Sequence, residues 1–139
     1  MSVPDHAAVQ AAVFLALQGH APLVSLLLDA EQGIGAYAPA KGKFPYVVIE
    51  SIASSPLSTQ ADTLDDCQVV CAVYSDQAGG AQARDVLAGV ASALSNPLTI
   101  EGQRVVLQQG GAAQVQLMGD GKTYRGTYAL RVVIEKDEG

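Results

Sequence analysis

The sequence predicts an α+β domain: a largely antiparallel sheet of four to five strands with helices packed on one face. Three observations predict it. Apolar residues recur at helical spacing near the N-terminus and again between residues 81 and 95. Runs rich in Val, Ile, Cys and Tyr are grouped before and after that second helical stretch, and do not alternate with helices one by one. A Gly119-Asp120-Gly121 turn signal joins the last two runs as a hairpin, because Asp-Gly tolerates positive φ. The 139 residues are read as one domain, 1–139, long enough to bury most of its surface without a metal or disulfide staple.

The first element is a helix from Pro4 to Gln18, with Ser2 as its cap. Pro4 suits a first helical turn, Asp5 favours the positive end of the helix dipole, and Gly19 ends the helix. Val9, Val13, Ala16 and Leu17 form its apolar stripe. Pro22 opens a second, short helix through Leu23, Leu26 and Leu27 to Leu28. Gly33 to Pro39 reads as a short extended segment at a sheet edge, where proline is tolerated. Lys41-Gly42-Lys43 is a small basic loop. Phe44 to Ile52 is the first clear strand, and its consecutive Val47, Val48 and Ile49 call for cover on both faces.

Ala53 to Thr63 is polar, either a loop or a hairpin arm projecting from the sheet. Leu64 to Ser75 alternates as a strand, with Cys67, Val69, Cys71 and Val73 on one face and Asp66, Gln68, Val70, Ala72 and Tyr74 on the other. Ala81 to Ser95 is the clearest helix: Val86, Leu87, Val90, Ala91 and Leu94 face inward, Arg84, Asp85 and Ser92 outward, and Asn96-Pro97 stops it. After a turn at Glu101-Gly102, Arg104 to Gln109 and Gln114 to Met118 read as strand pieces separated by a bulge or bend at Gly110-Gly111. Thr123 to Glu135 is the last strand, with Tyr128, Leu130, Val132 and Ile134 on its core face.

Composition narrows the function. Hydrophobic residues make up 49% and mean hydropathy is +0.22, an apolar balance that a core and a surface covered in an oligomer would together explain. No apolar run reaches the roughly 18 residues of a membrane span, and no basic region precedes an apolar stretch, so neither a membrane partner nor a signal peptide is expected. The net charge of −6 argues against tight nucleic-acid binding, which needs clustered cations. It is compatible with DNA passing by in transit, and equally with plain solubility. Cys67 and Cys71, four apart in a strand, lie on one face about 13 Å apart. That exceeds the roughly 7 Å limit for a disulfide, so both are expected as buried thiols in a reducing compartment.

Catalytic signatures are missing. The chain has no Gly-x-Ser-x-Gly, no phosphate-binding glycine loop ending in Lys-Ser/Thr and no His-Glu-x-x-His. Gly33-Ile34-Gly35 lacks the third glycine and the strand-turn-helix setting of a dinucleotide site. His6 and His20 are too few for a metal site, and Asp65 and Asp66, adjacent in a strand, point to opposite faces. No enzyme activity, cofactor or metal is expected.

The order of elements carries a resemblance. A helical start, a short extended segment ending near Pro39, and the strand Phe44-Pro45-Tyr46-Val47-Val48-Ile49 come first. A polar stretch from Ser54 to Thr63 then leads into a strand ending Val73-Tyr74-Ser75. The helix Ala81 to Ser95, Pro97-Leu98 and a terminal strand pair with Tyr124 and Arg125 just past the hairpin complete the series. In this order the chain resembles the tail terminator, or tail-completion, proteins of long-tailed phages and phage-derived gene transfer agents. It departs in having Ile49 where the family often has Gly before the Glu, and Tyr74 where it often has Trp.

The resemblance implies a non-enzymatic virion protein at the tail–neck junction, assembled in the bacterial cytoplasm. Such proteins form a ring, typically a hexamer, that caps the tail tube, ends its polymerisation and meets the neck or head-completion protein. DNA crosses the lumen non-specifically. On this reading the tube contact is assigned to Ser54, Ser55, Pro56, Leu57, Ser58, Thr59 and Gln60. The ring contact is assigned to Ile34, Tyr37, Pro39, Lys41 and Lys43. Another head–tail connector, or a small-molecule binding domain, are the alternatives.

Overall fold

The computed structural model describes residues 6–27, 33–35, 44–56 and 64–136. Its elements run α1 (His6–Gln18), α2 (Ala21–Val24), β1 (Ile34–Gly35), β2 (Tyr46–Pro56), β3 (Leu64–Ser75), α3 (Ala81–Ala93), β4 (Gln103–Leu117) and β5 (Tyr124–Lys136). The strands form one five-stranded sheet in the order β1-β2-β3-β5-β4. The three pairings among β2, β3, β5 and β4 are antiparallel, and β1 joins β2 in parallel. The fold is therefore α+β with a mixed sheet.

β3 holds the centre, and its alternation explains why. Cys67, Val69, Cys71 and Val73 are all fully buried on one face. They join Leu130, Val132 and Ile134 of β5, Val47 and Ile49 of β2, Val9, Val13 and Leu17 of α1, Leu23 of α2, and Val86 and Val90 of α3 in a single core. Each of these valines and leucines stabilises the fold by about 1.5–3 kcal/mol through burial alone. Both cysteines are thiols in that core, and burial pushes the Cys71 thiol up to about 12, which keeps it protonated and inert.

Several elements differ in extent from the sequence reading. The second helix stops at Val24, before Leu26, which is largely exposed. β2 does not end at Ile52 but continues to Pro56, because Ser54, Ser55 and Pro56 pair with Cys67, Asp66 and Asp65. A register shift between Ile49 and Ser51 adds an unanticipated bulge at Glu50. β4 is one strand of 15 residues and not two pieces. The glycine pair does mark an irregularity, since the register slips between Gly110 and Ala113, with a second slip between Val105 and Leu107.

The first glycine of that pair has a steric reason. A Cβ at Gly110 would collide with the Tyr128 hydroxyl of β5, whose ring lies beneath it. The hairpin between β4 and β5 is wider than a two-residue turn. Met118 N donates to Thr123 O at 2.8 Å, and positive φ is confined to Gly121 (+72°), with Asp120 on the ordinary side. Asp120 instead accepts from the Lys122 and Thr123 amides (2.9 and 2.8 Å) and from the Thr123 hydroxyl (2.6 Å). These donors, the Thr123 hydroxyl foremost, hold its carboxyl down at about 2.

Two predictions follow from these contacts. Gly110→Ala should destabilise the protein by about 1–3 kcal/mol in urea unfolding, the usual cost of an overpacked site, and adding Tyr128→Phe should restore part of the loss. An unchanged unfolding midpoint in Gly110→Ala would refute the close approach. Asp120, followed by NMR, should titrate near 2, and Thr123→Val should raise its midpoint toward the ordinary 3.8. A carboxylate held below its ordinary pKa adds stability above that value and loses it as pH falls through the folded one, so the turn should loosen between pH 3.8 and about 2.

Candidate assembly interface

The residues assigned to tube contact begin on the end of β2. Ser54, Ser55 and Pro56 are strand residues there, and Leu57, Ser58, Thr59 and Gln60 lie outside the described residues. Ser54 Oγ shares a hydrogen bond of 2.9 Å with His6 Nε2, which ties this end of the sheet to the first turn of α1. Of the residues assigned to ring contact, Ile34 is 3% exposed and belongs to the core, paired in β1 with Val47. Its side chain faces inward, so what β1 can offer a neighbour is backbone and not the isoleucine. Tyr37, Pro39, Lys41 and Lys43 lie outside the described residues.

The structure brings together a different set on the opposite face of the sheet. Tyr74 of β3 stands between Tyr46 of β2 and Arg125 of β5, its pairing partners on either side. The Tyr46 and Tyr74 rings stack with centroids 5.1 Å apart, and Phe44 lies against Tyr46 at 5.3 Å. The Glu50 carboxylate, at the bulge of β2, reaches over β3. Tyr74 donates its hydroxyl hydrogen to Glu50 Oε2 at 3.2 Å, and Arg125 donates from Nε to the Tyr74 oxygen at 3.2 Å and from Nη2 to Glu50 Oε1. The Glu50 carboxylate, then Tyr74, raises the Arg125 pKa further, and burial raises that of Tyr46.

Two more ion pairs continue along this face. Arg131 Nε bonds both Asp66 oxygens at 3.0 and 3.1 Å, joining β5 to β3, and Arg104 Nη2 meets Glu135 at 2.6 Å, joining β4 to β5. The arrangement fixes opposite charges against one another across strands. Glu50, Tyr74 and Arg125 were legible only as three separate pieces of a resemblance. The signal that unites them is the pairing of both β2 and β5 with β3, which neither local pattern contains.

At the far side of the sheet, β4 is tied to the exit of α3 by one side chain. Gln108 donates from Nε2 to the Leu94 and Asn96 carbonyls, both at 2.7 Å, and its Oε1 accepts from Leu98 N at 2.9 Å. The C-cap carbonyl of the helix, Leu94, thereby gains a partner it lacks within the helix. A groove of about 410 Å³ between strand and helix is lined by Leu87, Ala88, Ala91, Ala113 and Val115 among others. Among the described residues, no three His, Cys, Asp or Glu side chains gather into a group that could hold a metal ion.

Comparison with known proteins assigns this scaffold. The structure is similar to a chain from the virion of a native gene transfer agent particle, with a TM-score of 0.85 and 24% identity, covering 96% of this chain and 99% of that one. It is also similar to the gp17 protein of bacteriophage SPP1, with a TM-score of 0.63 and 27% identity, covering 100% of this chain and 99% of that one. No curated protein matches the sequence. The family model described as "Tail completion protein gp17" matches residues 11–135, nearly the whole fold, and the chain belongs to that tail-completion family.

Proposed function

We propose that this protein completes the tail of a phage or gene transfer agent particle by closing the end of the tail tube. Copies assemble into a ring, a hexamer by family resemblance, which halts tube polymerisation and presents its other side to the neck or head-completion protein. DNA crosses the lumen without sequence recognition. The role is structural, and the protein acts at the tail–neck junction after synthesis in the bacterial cytoplasm.

The observation that carries this reading is the family match across residues 11–135, supported by fold similarity to a virion chain over nearly the full length. The physical character of the molecule is consistent with it. Net charge is −6, so phosphate is repelled and not retained, which suits a passage more than a binding site. The Ser54–Gln60 segment is the proposed tube contact, with Ser54 braced against α1 through His6. The Ile34, Tyr37, Pro39, Lys41 and Lys43 segment is a proposed ring contact, offering backbone at β1.

Deleting the gene from the producing strain and imaging the lysate tests the role. Tubes of uncontrolled length without heads are expected, and complementation with the intact gene should restore joined particles. Normal headed particles from the deletion strain would refute the proposal, and headless tubes of normal length would assign the protein to the neck instead. Complementation with a variant lacking Ser55 to Gln60 should give the deletion phenotype from a folded protein. Full rescue by it would remove the tube contact from this segment.

A further inference from the structure

The groove between α3 and β4 combines an apolar wall, a free strand edge and an unpaired cation. Arg84, Ala88 and Ala91 line it from the helix, at positions that share one helical face. Ala113 and Val115 line it from β4, two apart and so on one face of the strand. β4 pairs with β5 on one edge and, among the described residues, with no strand on the other. From Ala113 to Leu117 its pairing to β5 is unbroken, so the outer amides and carbonyls of this stretch form a regular row. Arg84 stands exposed at the close of the first turn of α3, where the positive end of the helix dipole disfavours a cation. Arg104, Arg125 and Arg131 each hold a carboxylate. Among the described residues Arg84 holds none, and its guanidinium reaches the Gly79 carbonyl at a long 3.4 Å. Asp85, adjacent in the helix, faces another way.

We infer that this groove takes an extended segment of a different, partner protein, added as a strand along the outer edge of β4. Its aliphatic side chains lie against Ala88, Ala91, Ala113 and Val115, and a carboxylate on the same face pairs with Arg84. In this mode of recognition the edge amides and carbonyls supply affinity, and alternate side chains in the groove supply selectivity. The alanines suit it, because small side chains let an incoming backbone come close. The unpaired arginine fixes the chemistry of the occupant as aliphatic and acidic. A second copy of this chain is a poorer match. Its described stretches that alternate aliphatic residues with an acid are β2, β3 and β5, all already built into the sheet. The groove lies at the opposite end of the strand order from β1 and β2, so it is separate from the tube and ring contacts proposed above.

Selection of a random peptide display library on the intact chain tests the docking. Enriched peptides should alternate aliphatic with polar residues and carry Asp or Glu on the aliphatic face. Made synthetically, such a peptide should shift the NMR signals of amides 113–117 and of Ala88 and Ala91. Arg84→Glu, at an exposed position, should weaken binding by roughly tenfold or more with an unchanged circular dichroism spectrum. A peptide with Lys in place of its acid should recover that loss. Ala88→Trp, which fills the groove from another exposed position, should abolish binding. Enriched peptides without an acid, binding indifferent to Arg84→Glu, or no enrichment at all would overturn the proposal. Amides 113–117 that are protected from hydrogen exchange in the peptide-free chain, and lose that protection on dilution, would give the edge to a second copy and overturn it too. The tail role is judged separately by the deletion strain.

Discussion

The whole architecture depends on β3 being apolar enough to lie at the middle of a sheet. Its inward residues Cys67, Val69, Cys71 and Val73 meet helices, and Ala72 on the other face is also fully buried. A strand with that pattern needs a neighbour on each edge and a layer on its inner face. β2 and β5 supply the edges, and the stripes of α1, α2 and α3 join the same core. β5 is thereby inserted between β3 and β4, although β4 precedes it in sequence, and β4 is displaced to the rim.

The apolar core and the ion pairs lie on different sides of this sheet. The core side is mostly aliphatic. The other side carries the cross-strand pairs Glu50–Arg125, Asp66–Arg131 and Glu135–Arg104. These groups are partly exposed and screened by solvent, so each pair contributes little to stability. Their geometry matters more. Arg125 and Glu50 come from strands that are not neighbours and meet over Tyr74, so a one-residue slip in either pairing would separate them. The face thus depends on the register of three strands at once.

The sequence disclosed those features that depend on local pattern. The alternation in β3 set its ends at Leu64 and Ser75, the α3 stripe was complete apart from Ala83 and Ala93, and the Gly110-Gly111 pair marked a true irregularity. Long-range pairing was hidden. β2 runs on through Ser54 and Ser55 because β3 is there to bond them, which serine-rich composition argues against. β4 stays continuous through two glycines because β5 supports it and the Tyr128 ring occupies the space a side chain would need. Ile34 shows the reverse problem: a segment can be correctly placed at the sheet edge while its apolar side chain belongs to the core. Of the candidate interface, element order disclosed the family, but the Glu50–Tyr74–Arg125 group required the pairing of three strands.

The Gln108 tie has a mechanical meaning. One amide group grips the exit of α3 through three hydrogen bonds, while its own backbone belongs to the rim strand. Strand and helix terminus therefore move as a linked pair. Force applied at the rim is delivered to the end of the helix, and through the helix to the core beneath it. A component of a virion tail would, by this linkage, spread tension into its interior and not concentrate it in the outermost strand.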